Sequence, residues 1–309
     1  MRDTFIKTLI KETEKNSDII LITGDLGFGV LDEFIKKFPD NYINAGVAEQ
    51  NMTGMAAGLA MDGRIVFTYS IGNFPTLRCL EQIRNDICYH NLNVNIVSIG
   101  GGFSYGALGM SHHATEDIAI MRSLPGMIVL SPCGLWEAEN ITREIIKIDG
   151  PSYLRVDKSQ GEDLPTNDQN SDYILGKSRK LQEGEDCTIF VTGGILEEVQ
   201  IASKKLLKKN IKSSIISIHT VKPIDQNAVI DACDKTSAII TVEEHNLIGG
   251  LGSTIAEILM DRNLSIDRFL RIGLRDEYSS VVGSQKYLRK NYEMDSKSIY
   301  EKIFHLMTE

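Results

Sequence analysis

Short apolar runs of strand length alternate with longer segments whose apolar residues recur at helical spacing, from one end of the chain to the other. In the first half the runs fall at residues 19–22, 42–44, 64–67, 94–99 and 127–130, with helices expected near 4–14, 50–61, 75–88, 114–122 and 135–148. Continuous apolar strands separated by helices are the mark of parallel sheets buried on both faces. A polar stretch from residue 157 to 172 interrupts the pattern, which then restarts. Strands are expected at 188–191, 214–218 and 238–242, and helices at 197–209, 226–233, 254–260 and 298–307. The reading is α/β, two consecutive doubly wound domains over 1–160 and 181–309, joined by a linker at 161–180.

Composition narrows the class. The chain has 309 residues, 42% of them hydrophobic, enough to build two cores. Its five cysteines are odd in number and widely spread, without a Cys-x-x-Cys pair, so neither a disulfide framework nor a zinc site is suggested. The charged N-terminus does not resemble a signal peptide, and no apolar run approaches the roughly 18 residues of a membrane span. A cytoplasmic protein is expected. The net charge of −9 and the lack of a basic stripe argue against nucleic acid as a partner. The lysines at 204, 205, 208 and 209 lie on an amphipathic helix and read as its solvated face.

Candidate chemistry starts at Glu49, in Gly46-Val47-Ala48-Glu49-Gln50-Asn51-Met52. This carboxylate follows a strand and opens a helix whose next residues, 51–60, are small and apolar on nearly every side, so the helix reads as buried. A neighbour in sequence able to neutralise Glu49 is lacking, and a buried acid without a partner costs several kcal/mol. Such a cost usually marks a functional group, although a carboxylate at this place also complements the helix dipole. The second constellation is the glycine-rich loop 100–110, which ends in Ser111-His112-His113 and opens a helix. Its glycines suit a close backbone approach to a ligand, but it lacks the Gly-x-x-x-x-Gly-Lys-Ser/Thr of a phosphate-binding loop.

These motifs resemble the transketolase-like thiamine diphosphate enzymes. Residues 46–52 are similar to the pyrimidine-domain motif of that family, in which the glutamate hydrogen-bonds the aminopyrimidine ring. The segment from Ser111-His112 through Ala114-Thr115-Glu116-Asp117 to Arg122-Ser123-Leu124-Pro125 resembles the family's catalytic-histidine segment, and paired histidines such as His112 and His113 also occur in deoxyxylulose-phosphate synthases. Tyr69-Ser70-Ile71-Gly72-Asn73-Phe74 is similar to the Ser-Thr-Phe-x-x-Phe stretch, and Glu81-Gln82-Ile83-Arg84-Asn85 matches the helix of split transketolases. In the second half, Val221-Lys222-Pro223-Ile224-Asp225 and Glu243-Glu244-His245 with Gly249-Gly250-Leu251-Gly252 resemble motifs of the transketolase C-terminal domain, where His245 reads as structural or interfacial.

The resemblance implies a thiamine diphosphate pyrimidine-binding domain followed by a transketolase C-terminal domain. It places Glu49 and Phe74 against the cofactor's ring, with Asp25 and Ile71 also lining the cofactor. His112 would act as acid and base on the donor sugar, with Ser111, His113, Arg2 and Lys158 contacting substrate. The metal- and diphosphate-binding Gly-Asp-Gly is missing, and Gly24-Asp25-Leu26-Gly27 is its nearest approach. A separate N-terminal transketolase subunit would therefore hold the diphosphate and its Mg²⁺ or Ca²⁺, in a heterotetramer built on a dimer of this chain. The reaction implied is transfer of a two-carbon ketol unit from a ketose to an aldose-type acceptor.

Two of the family's four phosphate anchors are lost, at Gly29 and Gly100, while Arg2 is kept and Lys158 replaces an arginine. Leu108 stands where an aspartate reads a donor hydroxyl. The expectation is an unusual or nucleotide-linked sugar rather than an ordinary pentose phosphate. The β subunit of a 2-oxoacid dehydrogenase, or a deoxyxylulose-phosphate synthase-like enzyme, shares the layout and is the alternative. Intact Glu49 and His112 argue against a non-catalytic relic.

Overall fold

The computed structural model describes residues 1–158 and 173–309. The first half runs α1 (Arg2–Thr13), β1 (Ile19–Thr23), α2 (Asp32–Lys37), β2 (Tyr42–Asn44), α3 (Glu49–Met61), β3 (Ile65–Ile71), the single turn α4 (Leu80–Gln82), β4 (Val94–Ile99), α5 (Asp117–Ser123), β5 (Ile128–Leu130), α6 (Leu135–Ile145) and β6 (Ser152–Val156). The second half continues with β7 (Arg179–Gln182), β8 (Cys187–Thr192), α7 (Leu196–Leu207), β9 (Ser213–Ser217), β10 (Thr220–Lys222), α8 (Gln226–Lys235), β11 (Ala238–Asn246), α9 (Leu251–Asp261), β12 (Arg268–Leu274), α10 (Gln285–Asn291) and α11 (Ser296–Thr308).

Two sheets result, ordered β10-β5-β6-β4-β3-β1-β2 and β12-β11-β8-β9-β7. All neighbours are parallel except β10 against β5 and β7 against β9. The apolar runs became the interior strands because helices cover both faces: every residue of β1, β4 and β8 is buried. On one face of the first sheet Phe5, Leu9, Phe34 and Ile141 pack over Leu21, Phe67 and Val97. On the other, Met52, Ala56, Ile83 and Ile118 pack over Ile22, Val66 and Ile96.

The structure corrects several expectations. Helix α3 is not buried all round: Met52, Thr53, Ala56 and Ala57 face the sheet, while Gln50, Asn51, Gly54, Gly58 and Met61 form an exposed stripe. The small apolar residues of that stripe find no cover within one chain. The linker expected at 161–180 ends early, because β7 begins at Arg179; residues 161–172 lie outside the described residues. Asp157, the first residue of the polar stretch, is instead buried and accepts a hydrogen bond from the Gly194 amide. Strands β6, β7, β10 and β12 had not been expected. The last three lie at sheet edges, and β6 carries a buried arginine that makes its sequence read as surface.

That arginine joins the two halves. Arg155 is 1% exposed, donates from Nε to Asp117 Oδ2 at 2.9 Å, and donates from Nη2 to the carbonyls of Ala114 (3.0 Å) and Glu244 (2.9 Å). Tyr153 adds a hydroxyl to the same Asp117 oxygen. From the second half, the Glu244 side chain reaches back to the Phe103 amide at 2.5 Å and is held by Gln285 and Arg289. Phe103 itself belongs to the first half yet is seated in the second half's core, with Leu288 and Met294.

Breaking a buried ion pair by removing one partner leaves a charge that neither water nor protein compensates. Arg155→Met is therefore expected to lower the stability of the chain by about 3–5 kcal/mol. Urea unfolding measures this, and a loss under about 1 kcal/mol, the scale of an exposed pair, would contradict the assigned role.

Candidate active site

The carboxyl ends of β1, β2, β3 and β4 meet along one edge of the first sheet, where open parallel sheets bind ligands. Asn44 ties the first two together. Its side-chain oxygen accepts from the amides of Asp25 (3.1 Å) and Gly46 (3.0 Å), and its Nδ2 donates to Asp25 Oδ1 at 2.9 Å. Asp25 is exposed and left-handed at φ 56°, as befits a residue in a sharp strand-to-helix turn. The turn after β2 delivers Glu49 as the first residue of α3.

Glu49 is 3% exposed, but the expectation that it lacks a partner is wrong. Arg78 donates from Nη1 to Glu49 Oε2 at 2.7 Å. The same guanidinium lies over the ring of Phe74, 4.6 Å from its centroid. Phe74 in turn meets the ring of His112 edge to face at 5.1 Å. Glu49, Phe74 and His112, singled out in three separate motifs, are thus joined through Arg78 into one contiguous cluster. Ile71 ends β3 just before this cluster.

Gly72 permits the approach of the two loops. It adopts φ 43°, and a β-carbon there would lie 3.1 Å from the His112 carbonyl oxygen. Asn73 completes the contact by donating to the His113 carbonyl. His112 Nδ1 is 3.0 Å from the hydroxyl of exposed Ser111, and among the described residues Nε2 has no protein partner. His113 is placed differently. Its ring is buried under the loop, edge-on to Phe103 at 5.2 Å, and Nε2 is 3.3 Å from the Gly106 carbonyl. Burial pulls its pKa below the ordinary histidine value, which favours the neutral ring.

Arg2 and Lys158 lie together, lining a cavity of ≈ 430 Å³ with Met1, Asp3, Thr4 and Leu135. The Lys158 ammonium sits 3.6 Å from the centroid of the Tyr105 ring, and the centroid of the His112 ring is 6.5 Å from that of the same tyrosine. Desolvation, and then the Arg2 charge, draw the Lys158 pKa below its usual value. Gly100 explains its own missing side chain: at φ 89°, a β-carbon would lie 2.2 Å from Cε2 of Tyr105. The phenol has taken the space. Gly29, by contrast, is open, and Leu108 is 56% exposed.

Arg78, Asn44 and Tyr105 escaped the reading of the sequence. A hint existed for Arg78, four residues beyond Phe74 in a segment expected to be helical, the spacing at which side chains meet. Among the described residues no cluster of three His, Cys, Asp or Glu side chains is arranged to hold a metal ion.

Residues 1–162 match the transketolase pyrimidine binding domain, and residues 176–299 the transketolase C-terminal domain. The chain belongs to the transketolase family and carries these two of its domains, as do the split transketolases it is similar to. It is 38% identical to a putative transketolase C-terminal section of Methanocaldococcus jannaschii, over 99% of this chain and 96% of that protein. It is 34% identical to one subunit of an apulose-4-phosphate transketolase of Phocaeicola vulgatus, over 96% and 94%. A solved split-gene transketolase, described as an inactive β4 tetramer, superposes with a TM-score of 0.90 at 32% identity, covering 99% and 98% of the two chains. Membership of the family implies dependence on thiamine diphosphate.

Gly100→Ala is expected to cost about 1–3 kcal/mol through its left-handed backbone and the overlap with Tyr105. Tyr105→Ala should relieve the overlap part. A double-mutant cycle by urea unfolding reads the coupling, and strictly additive losses would mean that the two sites do not compete for space.

Proposed function

We propose that this chain supplies the aminopyrimidine-gripping and donor-handling half of a transketolase that moves a two-carbon ketol unit from a ketose to an aldose-type acceptor. The observation that carries the reading is the slot between Glu49 and Phe74. A buried carboxylate oxygen beside an aromatic face suits a flat, nitrogen-rich cation, and the Arg78 guanidinium already makes both contacts. The donor set therefore fits the cofactor's ring.

Bound there, thiamine diphosphate supplies the carbanion chemistry that ketol transfer needs. Glu49 would hold or return a proton at its buried carboxylate, and Phe74 would offer an aromatic face to the ring, with Ile71 and Asp25 at the same sheet edge. His112, oriented by Ser111 at Nδ1, presents Nε2 to the donor's hydroxyls and takes up or returns a proton there. His113 supports the loop from beneath. Arg2 and Lys158 face the far end of the substrate.

An N-terminal partner subunit holds the diphosphate and its divalent cation, and the exposed stripe of α3 pairs with a second copy of this chain in a heterotetramer. Support for this comes from the bare small-residue face of α3 and from the likeness to split transketolases. The acceptor is not an ordinary pentose phosphate: with Gly29 and Gly100 contributing no side chain, only Arg2 and Lys158 remain to meet an anionic end.

Glu49→Gln, mixed with the N-terminal subunit, is expected to assemble normally and to lose about 10²–10⁴-fold in kcat, the usual worth of a positioned acid or base. Near-normal turnover would refute the assignment. With wild-type subunits, kcat/KM for ribose 5-phosphate as acceptor of xylulose 5-phosphate carbon is expected below about 10⁴ M⁻¹ s⁻¹, the lower edge of ordinary enzymes. Efficient turnover of that pair would return the enzyme to standard pentose phosphates.

A further inference from the structure

We infer that Arg78 is a built-in stand-in for the cofactor's aminopyrimidine ring and thereby sets the affinity of the site. In the cofactor-free subunit its guanidinium fills the ring's slot, and binding requires it to leave. The inference rests on the reading of the Glu49–Phe74 slot given above. It goes beyond that reading by assigning a role to a residue outside the family motifs.

Charge and shape both point this way. Glu49 is 3% exposed, and a carboxylate so buried needs a hydrogen-bond donor of opposite charge whenever the ring is absent. Guanidinium is planar, cationic and rich in N–H donors, so it bonds to a carboxylate and lies flat on an aromatic face at the same time. Arg78 does both, at 2.7 Å from Glu49 Oε2 and 4.6 Å from the Phe74 centroid. Those are the two contacts assigned to the aminopyrimidine, so ring and guanidinium exclude one another. The asymmetry of burial shows which one moves: the Arg78 side chain is 47% exposed and has open solvent to swing into, whereas Glu49 has none.

Displacement has a cost, because a ligand that binds only the open arrangement has its apparent Kd raised by the scarcity of that arrangement. Arg78 thus keeps Glu49 paired in the unassembled subunit, and weakens premature capture of thiamine compounds by half a site.

Calorimetric titration of thiamine diphosphate with Mg²⁺ into the reconstituted complex tests the inference, using Arg78→Ala and Arg78→Met. Both variants are expected to bind at least about fivefold more tightly than wild type, a readout independent of turnover. In Arg78→Ala, about 10 mM guanidinium chloride should weaken cofactor binding where equal sodium chloride does not. Unchanged or weaker binding in the variants would overturn the inference, since it would make Arg78 either a bystander or a cofactor ligand. Should both variants fail to fold, Arg78→Lys serves: its ammonium pairs with Glu49 but cannot lie flat on Phe74, and binding no tighter than wild type counts against displacement. Glu49→Ala made in the Arg78→Ala background, where no guanidinium competes, separates the two failures. If it leaves cofactor affinity intact, the slot reading itself is wrong.

Discussion

The active edge of this protein depends on a buried arginine in another part of the sheet. Arg155 neutralises Asp117 and holds two carbonyls, Ala114 from the first half and Glu244 from the second. Ala114 is paired across the loop with Gly102, so the position of Arg155 decides how the glycine-rich segment folds over the strand ends. His112 stands near the end of that segment. The same network lets Glu244 receive the Phe103 amide, whose ring is anchored in the second core. Buried ions of this kind contribute little net stability against apolar alternatives, and what they provide here is a single geometry for a loop with few side chains of its own.

Around this frame the two ends of the site obey different physics. At one end a carboxylate withdrawn from water, Glu49, is paired with the Arg78 guanidinium that lies over Phe74. The other end is steric. Tyr105 occupies the volume above Gly100, and its face is covered by Lys158, so an opening that could admit a charged side chain is filled by a phenol instead. Within the single chain, Arg78 is the partner of the buried Glu49 carboxylate.

Much of the architecture was readable because burial on both sides of a parallel strand leaves an unbroken apolar run, as in β1, β4, β8 and β11. The strands that escaped notice were those that break this rule. Edge strand β7 reads Arg-Lys-Leu-Gln, and β6 contains Arg155, whose charge is matched by residues dozens of positions away. At the site, Glu49, Phe74 and His112 stood out through their motifs. Arg78 and Tyr105 did not, since an arginine in a helical stretch and a tyrosine in a glycine-rich loop look ordinary until their neighbours in space are known.

By itself the sequence determined the two α/β halves, the family they belong to, and the residue types available for chemistry, because periodicity and motif spacing are local properties of the chain. Which charges meet was decided only by the tertiary structure. Glu49 and Arg78 are separated by 29 residues, Arg155 and Asp117 by 38, and Gly100 must lack a β-carbon before Tyr105 can sit against it. Pairing across such distances depends on how the loops pack over the sheet ends, and no local pattern encodes it.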